Sequence, residues 1–111
     1  MSKLDIVTVS VSVACASDVE AQTIAKALVE DRLAACVQSH PITSTYRWQG
    51  AIETAPEVML TAKTRMDKLP ALEARVRELH SYDVPEIIAQ PVVWASEPYA
   101  QWLHDSLGPV E

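Results

Sequence analysis

The sequence predicts an α+β fold, and three observations carry that reading. Val7, Val9, Val11 and Val13 alternate with Thr8, Ser10 and Ser12, the period-2 pattern of a strand with one buried face. A capping box, Ser17-Asp18-Val19-Glu20, then opens a stretch whose apolar residues recur at helical spacing. Farther on, two long segments rich in β-branched and aromatic residues flank Gln49-Gly50, as in a β-hairpin.

Taken in order, the first strand leads to a helix over about Asp18 to Arg32. Ala21, Ile24, Ala25, Leu28 and Val29 form its apolar stripe. In the capping box Ser17 accepts from the third helical amide, while Glu20 reaches back to the cap. Cys36 to Trp48 and Ala51 to Thr64 form the hairpin arms. With a two-residue turn, Pro41 faces Val58 and Pro56 faces Thr43; each proline removes a ladder donor, so a bulge or bend is expected in each arm. Asp67 reads as the next N-cap, which puts Pro70 in the first turn, where its missing N–H is harmless. Leu69, Leu72, Val76 and Leu79 supply that helix's buried stripe. Glu86 to Trp94 reads as a fourth strand, with Pro85 and Pro91 near its ends marking an edge position. Ser96 caps a short last helix carrying Pro98, Tyr99, Trp102, Leu103 and Leu107.

The order β-α-β-β-α-β plus a terminal helix is the split βαβ, ferredoxin-like plan, an antiparallel sheet in order 4-1-3-2 with two helices on one face. At 111 residues, with neither repeat nor linker, residues 1–111 read as one domain. Two helices cover one face of such a sheet. The outward set is weakly charged, so partner chains are expected on the other face.

Composition narrows the function classes. Nine basic against fifteen acidic residues give a net charge of −6, which argues against a nucleic-acid partner held through phosphates. Two cysteines make no disulfide framework, and no stretch reaches the ~20 apolar residues of a membrane span. Lys3, the run from Ile6 to Ala16, and Cys15 faintly suggest a lipoprotein signal; Thr8, Ser10 and Ser12 make that run too polar, and it reads as a strand. A reducing cytosol with free thiols is the expected location. The aromatic set is unusual: three Trp, three Tyr and no Phe, so each ring carries a polar edge and suits an interface.

The candidate ligands for a soft or borderline metal are Cys15, Cys36, His40, His80 and His104. None of them shows C-x-x-C or H-x-x-x-H spacing. Topology is more selective. The fourth strand runs antiparallel to the first, so His80, just before it, falls at the same sheet end as Cys15, just past the first strand. Cys36 begins a strand parallel to the first and belongs at the opposite end. Each candidate also has a structural reading: a buried small hydrophobe for either cysteine, a helix C-terminal imidazole for His80, and a surface position for His40 and His104.

Five segments resemble the CutA family of divalent-cation tolerance proteins: Leu33-Ala34-Ala35-Cys36-Val37, Tyr46-Arg47-Trp48-Gln49-Gly50, Glu57 through Lys63-Thr64, Leu79-His80-Ser81-Tyr82-Asp83-Val84-Pro85-Glu86, and Tyr99-x-x-Trp102-Leu103. The likeness runs from about Ile6 to Leu103, with Ser81 standing where the family usually has Pro. It implies a ferredoxin-like fold assembled as a homotrimer through long hairpins, a role with copper and other divalent metals, and kinship in shape to the PII signalling trimers. Metal-binding members use a cysteine at the end of the first strand and the His of the Leu-His block. The aligned strand position here is Val13, with Cys15 two residues on. Tyr46, Trp48, Trp94, Tyr99 and Trp102 lie on the elements expected to reach neighbouring subunits.

Other functions of this fold find less support. The first strand lacks the aromatic and basic residues of an RNA-recognition module, and Ala14 to Asp18 lacks the C-x-x-C of a copper chaperone and the Gly-rich, Arg-bearing loop of an acylphosphatase. No nucleophile–base pair emerges, so the expectation is a non-enzyme. Two readings remain: a trimeric protein that binds Cu(II) or another divalent metal through His80 with Cys15, and a PII-like sensor that binds a small ligand in inter-subunit clefts.

Overall fold

A computed structural model describes residues 6–110; Lys3 lies outside them. Its elements are β1 (Thr8–Cys15), α1 (Asp18–Glu30), β2 (Cys36–Trp48), β3 (Ala51–Arg65), a 3-10 turn (Met66–Lys68), α2 (Leu69–Leu79), β4 (Ile87–Pro91) and α3 (Glu97–Leu107). The sheet order is β2-β3-β1-β4 with every neighbouring pair antiparallel, which is the 4-1-3-2 plan.

Alternation decides which side of the sheet is dry. Val9, Val11, Val13 and Cys15 of β1, with Val58, Leu60 and Ala62 of β3, meet Ala21, Ile24 and Leu28 of α1 and Leu72 and Val76 of α2. Each fully buried Val, Leu or Ile contributes roughly 1.5–3 kcal/mol, so this face is the main source of stability. On the opposite face α3 folds over the end where β1 starts. Arg65 is fully buried there, paired with Asp67 and donating to the carbonyls of His104 and Gly108.

Several local expectations are corrected. β1 continues through Cys15, so that residue ends the strand and keeps the buried face. α1 stops at Glu30 rather than Arg32. Leu33 N–H bonds the Leu28 carbonyl and Arg32 N–H the Val29 carbonyl, a Schellman arrangement with Arg32 at φ +56°. Ala27, not Val29, joins the buried stripe. Asp67 does not cap α2, because both its carboxylate oxygens are taken by Arg65 at 2.8 and 3.1 Å. Lys68 occupies the cap position without a side-chain bond, and Pro70 still falls in the first turn. β4 ends at Pro91, after which Val92 donates a last bond to Thr8, the first residue of β1; Trp94 therefore follows the strand.

The hairpin has the expected register, Pro41 opposite Val58 and Thr43 opposite Pro56, but neither bulge. Pairing is unbroken from Cys36↔Lys63 to Trp48↔Ala51. Both prolines fall in the same alternate set of pairs, and the non-hydrogen-bonded set, whose amides point off the ladder, accommodates both. Gln49 and Gly50 have φ +48° and +81°, as a type I′ turn requires. β1 pairs with β3 only from Val58 to Arg65, so the rest of the hairpin projects as a two-stranded ribbon. The molecule is accordingly elongated, 48 × 25 × 21 Å.

Candidate functional site

Three chain segments converge where β1 ends. Cys15 closes the strand, fully buried. Ser17 caps α1 by accepting from Glu20 N–H at 3.2 Å, and the Glu20 carboxylate turns back to accept from Ala16 N–H at 2.8 Å. The reciprocal bond thus reaches one residue beyond the cap. His80 is the C-cap of α2; its N–H still bonds the Val76 carbonyl while its ring folds onto the sheet end.

The His80 side chain is completely buried, and its partners dictate its protonation. Nε2 lies 2.7 Å from the Ala14 carbonyl, which can only accept, so Nε2 carries the proton. Nδ1 then holds the lone pair, and Tyr82 N–H donates to it at 3.1 Å. A ring nitrogen fixed on a carbonyl, with the other presenting its electron pair, is the orientation metal-binding histidines commonly use. Nδ1 is also 3.8 Å from the Glu20 carboxylate. Tyr82 stacks obliquely on the imidazole at 4.7 Å, and its hydroxyl donates to Glu57 at 2.9 Å.

Cys15, Glu20 and His80 each offer one ligand atom within 4.8 Å of the other two, the one such cluster among the described residues. Sulfur, carboxylate oxygen and imidazole nitrogen together suit Zn(II) or Cu(II) better than a hard cation. The apo electrostatics are not neutral to binding. Burial, then the charges of Glu20 and Glu57, push the Cys15 thiol up to about 12. Burial alone would raise the Glu20 carboxyl, but hydrogen bonds from Ala16 and Ser81 outweigh it and hold the group below its ordinary value. A bound cation would reverse the thiol's position by stabilising thiolate directly. The donor set fits a borderline divalent ion, with Cys15 the group whose proton must leave.

Of the five sequence candidates, the structure brings together Cys15 and His80. Cys36 pairs with Lys63 toward the other sheet end, and His40 is exposed on β2 opposite Met59. His104 is not a surface residue: it is 2% exposed, with Nε2 3.1 Å from the Thr8 hydroxyl, because α3 folds back over the start of β1. Tyr46, Trp48, Trp94, Tyr99 and Trp102 are all at least 40% exposed. Glu20 is the ligand candidate that sequence reasoning missed. Its capping-box position at the strand-to-helix turn was the available signal, since that turn shares a sheet end with His80.

Comparison with known proteins follows the same lines. The family described as CutA1 divalent ion tolerance protein matches residues 9–106. The divalent-cation tolerance protein CutA of Thermus thermophilus is 48% identical over 93 residues, 83% of this chain and 90% of that protein. Protein CutA of Mus musculus is 47% identical over 93 residues, but the chain spans only 52% of its length. A solved structure of the periplasmic divalent cation tolerance protein CutA from Archaeoglobus fulgidus superposes with a TM-score of 0.89 at 35% identity, covering 90% of this chain and 98% of that one.

Proposed function

Because the chain belongs to the CutA1 divalent ion tolerance family, we propose that it is a homotrimeric protein of the response to metal ions, taking up Cu(II) or a similar divalent ion at Cys15, Glu20 and His80. The convergence of those three ligand atoms within 4.8 Å carries the reading. His80 Nδ1 supplies the neutral nitrogen, oriented by the Ala14 carbonyl behind the ring. Glu20 supplies the anionic oxygen and Cys15 the sulfur, leaving further positions to water. The ion is cargo, and the protein acts by binding it rather than by catalysing a reaction. Two unpaired thiols agree with a reducing, cytoplasmic setting. Among the described residues no helix is long and apolar enough to cross a membrane.

What the subunit leaves exposed supports the assembly. A two-stranded ribbon is marginal in water by itself. The projecting end of this hairpin carries Tyr46, Trp48 and Ile52, and Trp94, Tyr99 and Trp102 add further amphipathic rings. Such rings gain most at an interface. Light scattering is expected to give a trimer, and a monomer at micromolar concentration contradicts the assembly.

Calorimetric titration of Zn(II) and Cu(II) into wild type and His80→Ala tests the metal site. Removing even an outer-shell partner of a metal commonly lowers affinity about 10–100-fold, so loss of His80 is expected to weaken uptake at least tenfold. Equal, weak uptake by both proteins contradicts the site. A metabolite that raises the melting temperature without metal would favour the PII-like sensor instead.

A further inference from the structure

The connection between α2 and β4 is fastened to the candidate metal site by two backbone amides. Ser81 N–H donates to Glu20 Oε1 at 2.7 Å, and Tyr82 N–H donates to His80 Nδ1 at 3.1 Å. These two fastenings differ in one respect that matters. A carboxylate oxygen has more than one lone pair and can hold an amide and a metal together, whereas the unprotonated nitrogen of a neutral imidazole has one. The Nε2 side of the ring is already committed, through its proton, to the Ala14 carbonyl.

Resting on the metal reading above, we propose that ion uptake is coupled to release of this connection: a divalent ion on His80 Nδ1 displaces the Tyr82 amide, so that site occupancy is converted into movement of the segment that follows. The Ser81 amide stays on Glu20, which makes Tyr82 the hinge of the response. Asp83, Val84 and Pro85, just beyond, line an open groove of about 530 Å³ whose other wall includes Leu69 and Arg77 of α2. The groove wall is therefore the part of the surface that reports the ion. The tethers that remain are the Ser81 amide on Glu20 and the Tyr82 hydroxyl on Glu57, across on β3.

Amide hydrogen exchange by NMR on the full chain, with and without Zn(II), tests the coupling. One net hydrogen bond corresponds to about a tenfold change in an equilibrium. Exchange at Tyr82 is thus expected to speed up about tenfold on Zn(II) binding, while the Ser81 amide on Glu20 and the His80 amide on Val76 keep their protection. A second arm needs no exchange data. Tyr82→Pro removes the competing N–H together with the side chain, and Tyr82→Ala removes the same side chain but keeps the N–H. The first is expected to bind Zn(II) about tenfold more tightly than the second. Zn(II) binding that requires His80 but leaves Tyr82 protection unchanged overturns the coupling alone, as does equal affinity in the two variants. No Zn(II) binding by wild type overturns the coupling, and no uptake of Cu(II) either overturns the metal reading as well.

Discussion

Replacing Glu20 by Gln isolates the group that organises the sheet end. The carboxylate is 12% exposed in its side chain and accepts two short amide bonds, from Ala16 at 2.8 Å and Ser81 at 2.7 Å. Glutamine keeps one carbonyl acceptor and turns its NH₂ toward the other amide, so a donor faces a donor. A hydrogen bond to a charged group is worth about 1.5–3 kcal/mol and a neutral one about 0.5–1.5. One bond is lost and the other loses its charge assistance, so Glu20→Gln is expected to destabilise the metal-free protein by about 2–3 kcal/mol. With a urea m-value of about 1.5 kcal/mol/M for a chain of this size, the unfolding midpoint falls by roughly 1.3–2 M. Both proteins are measured at one protein concentration, since assembly makes the midpoint concentration-dependent. A midpoint within about 0.3 M of wild type, with an unchanged slope, refutes the assignment of these bonds as the anchor of the site.

Three further outcomes follow from the same contacts. Arg65→Met removes a buried guanidinium that pairs with Asp67 and holds the end of α3; hydrogen bonds to a charged group are worth about 1.5–3 kcal/mol each, so a loss of about 3 kcal/mol, roughly 12 °C in Tm, is expected, and a shift under about 3 °C contradicts that anchoring. Cys15, buried and with its thiol raised to about 12, is expected to resist iodoacetamide at pH 8 and to react once urea unfolds the chain; rapid native labelling shows the strand end to be open. Burial, then the Glu57 hydrogen bond, raises the Tyr82 phenol to about 12. Its neutral form favours the fold below the ordinary value of 10, and this contribution fades as pH rises toward 12. Absorbance titration at alkaline pH is expected to show a late phenol step that Tyr82→Phe removes, and a last step unchanged in that variant opposes the assignment.

Local pattern made much of this molecule legible. The two-residue turn at Gln49-Gly50 was enough to place Pro41 against Val58, and antiparallel topology was enough to bring Cys15 and His80 to one end. Periodicity carries no information about which group claims a polar side chain, and the errors collect there. Asp67 has the composition of a cap, but the arginine two residues earlier takes its carboxylate. His104 read as exposed because its partner, Thr8, lies 96 residues away at the other end of the chain. Glu20 was visible as a capping residue, yet its second bond comes from Ser81, 61 residues on. The bulges expected from Pro41 and Pro56 are missing for a different reason: a proline disturbs a ladder only where the ladder needs its amide. Trp94 lost its strand because β4 runs out of partner at Thr8.

The proposed metal site requires His80 to carry its proton on Nε2 and its electron pair on Nδ1. Nitrogen chemical shifts of the His80 ring, recorded on labelled protein before and after adding Zn(II), test it most directly. An Nε2–H tautomer is expected in the free protein, and a displacement of the Nδ1 resonance on Zn(II) binding, with the Nε2 proton still donated to the Ala14 carbonyl. A proton on Nδ1 in the free protein, or a ring that Zn(II) leaves unchanged, would contradict it.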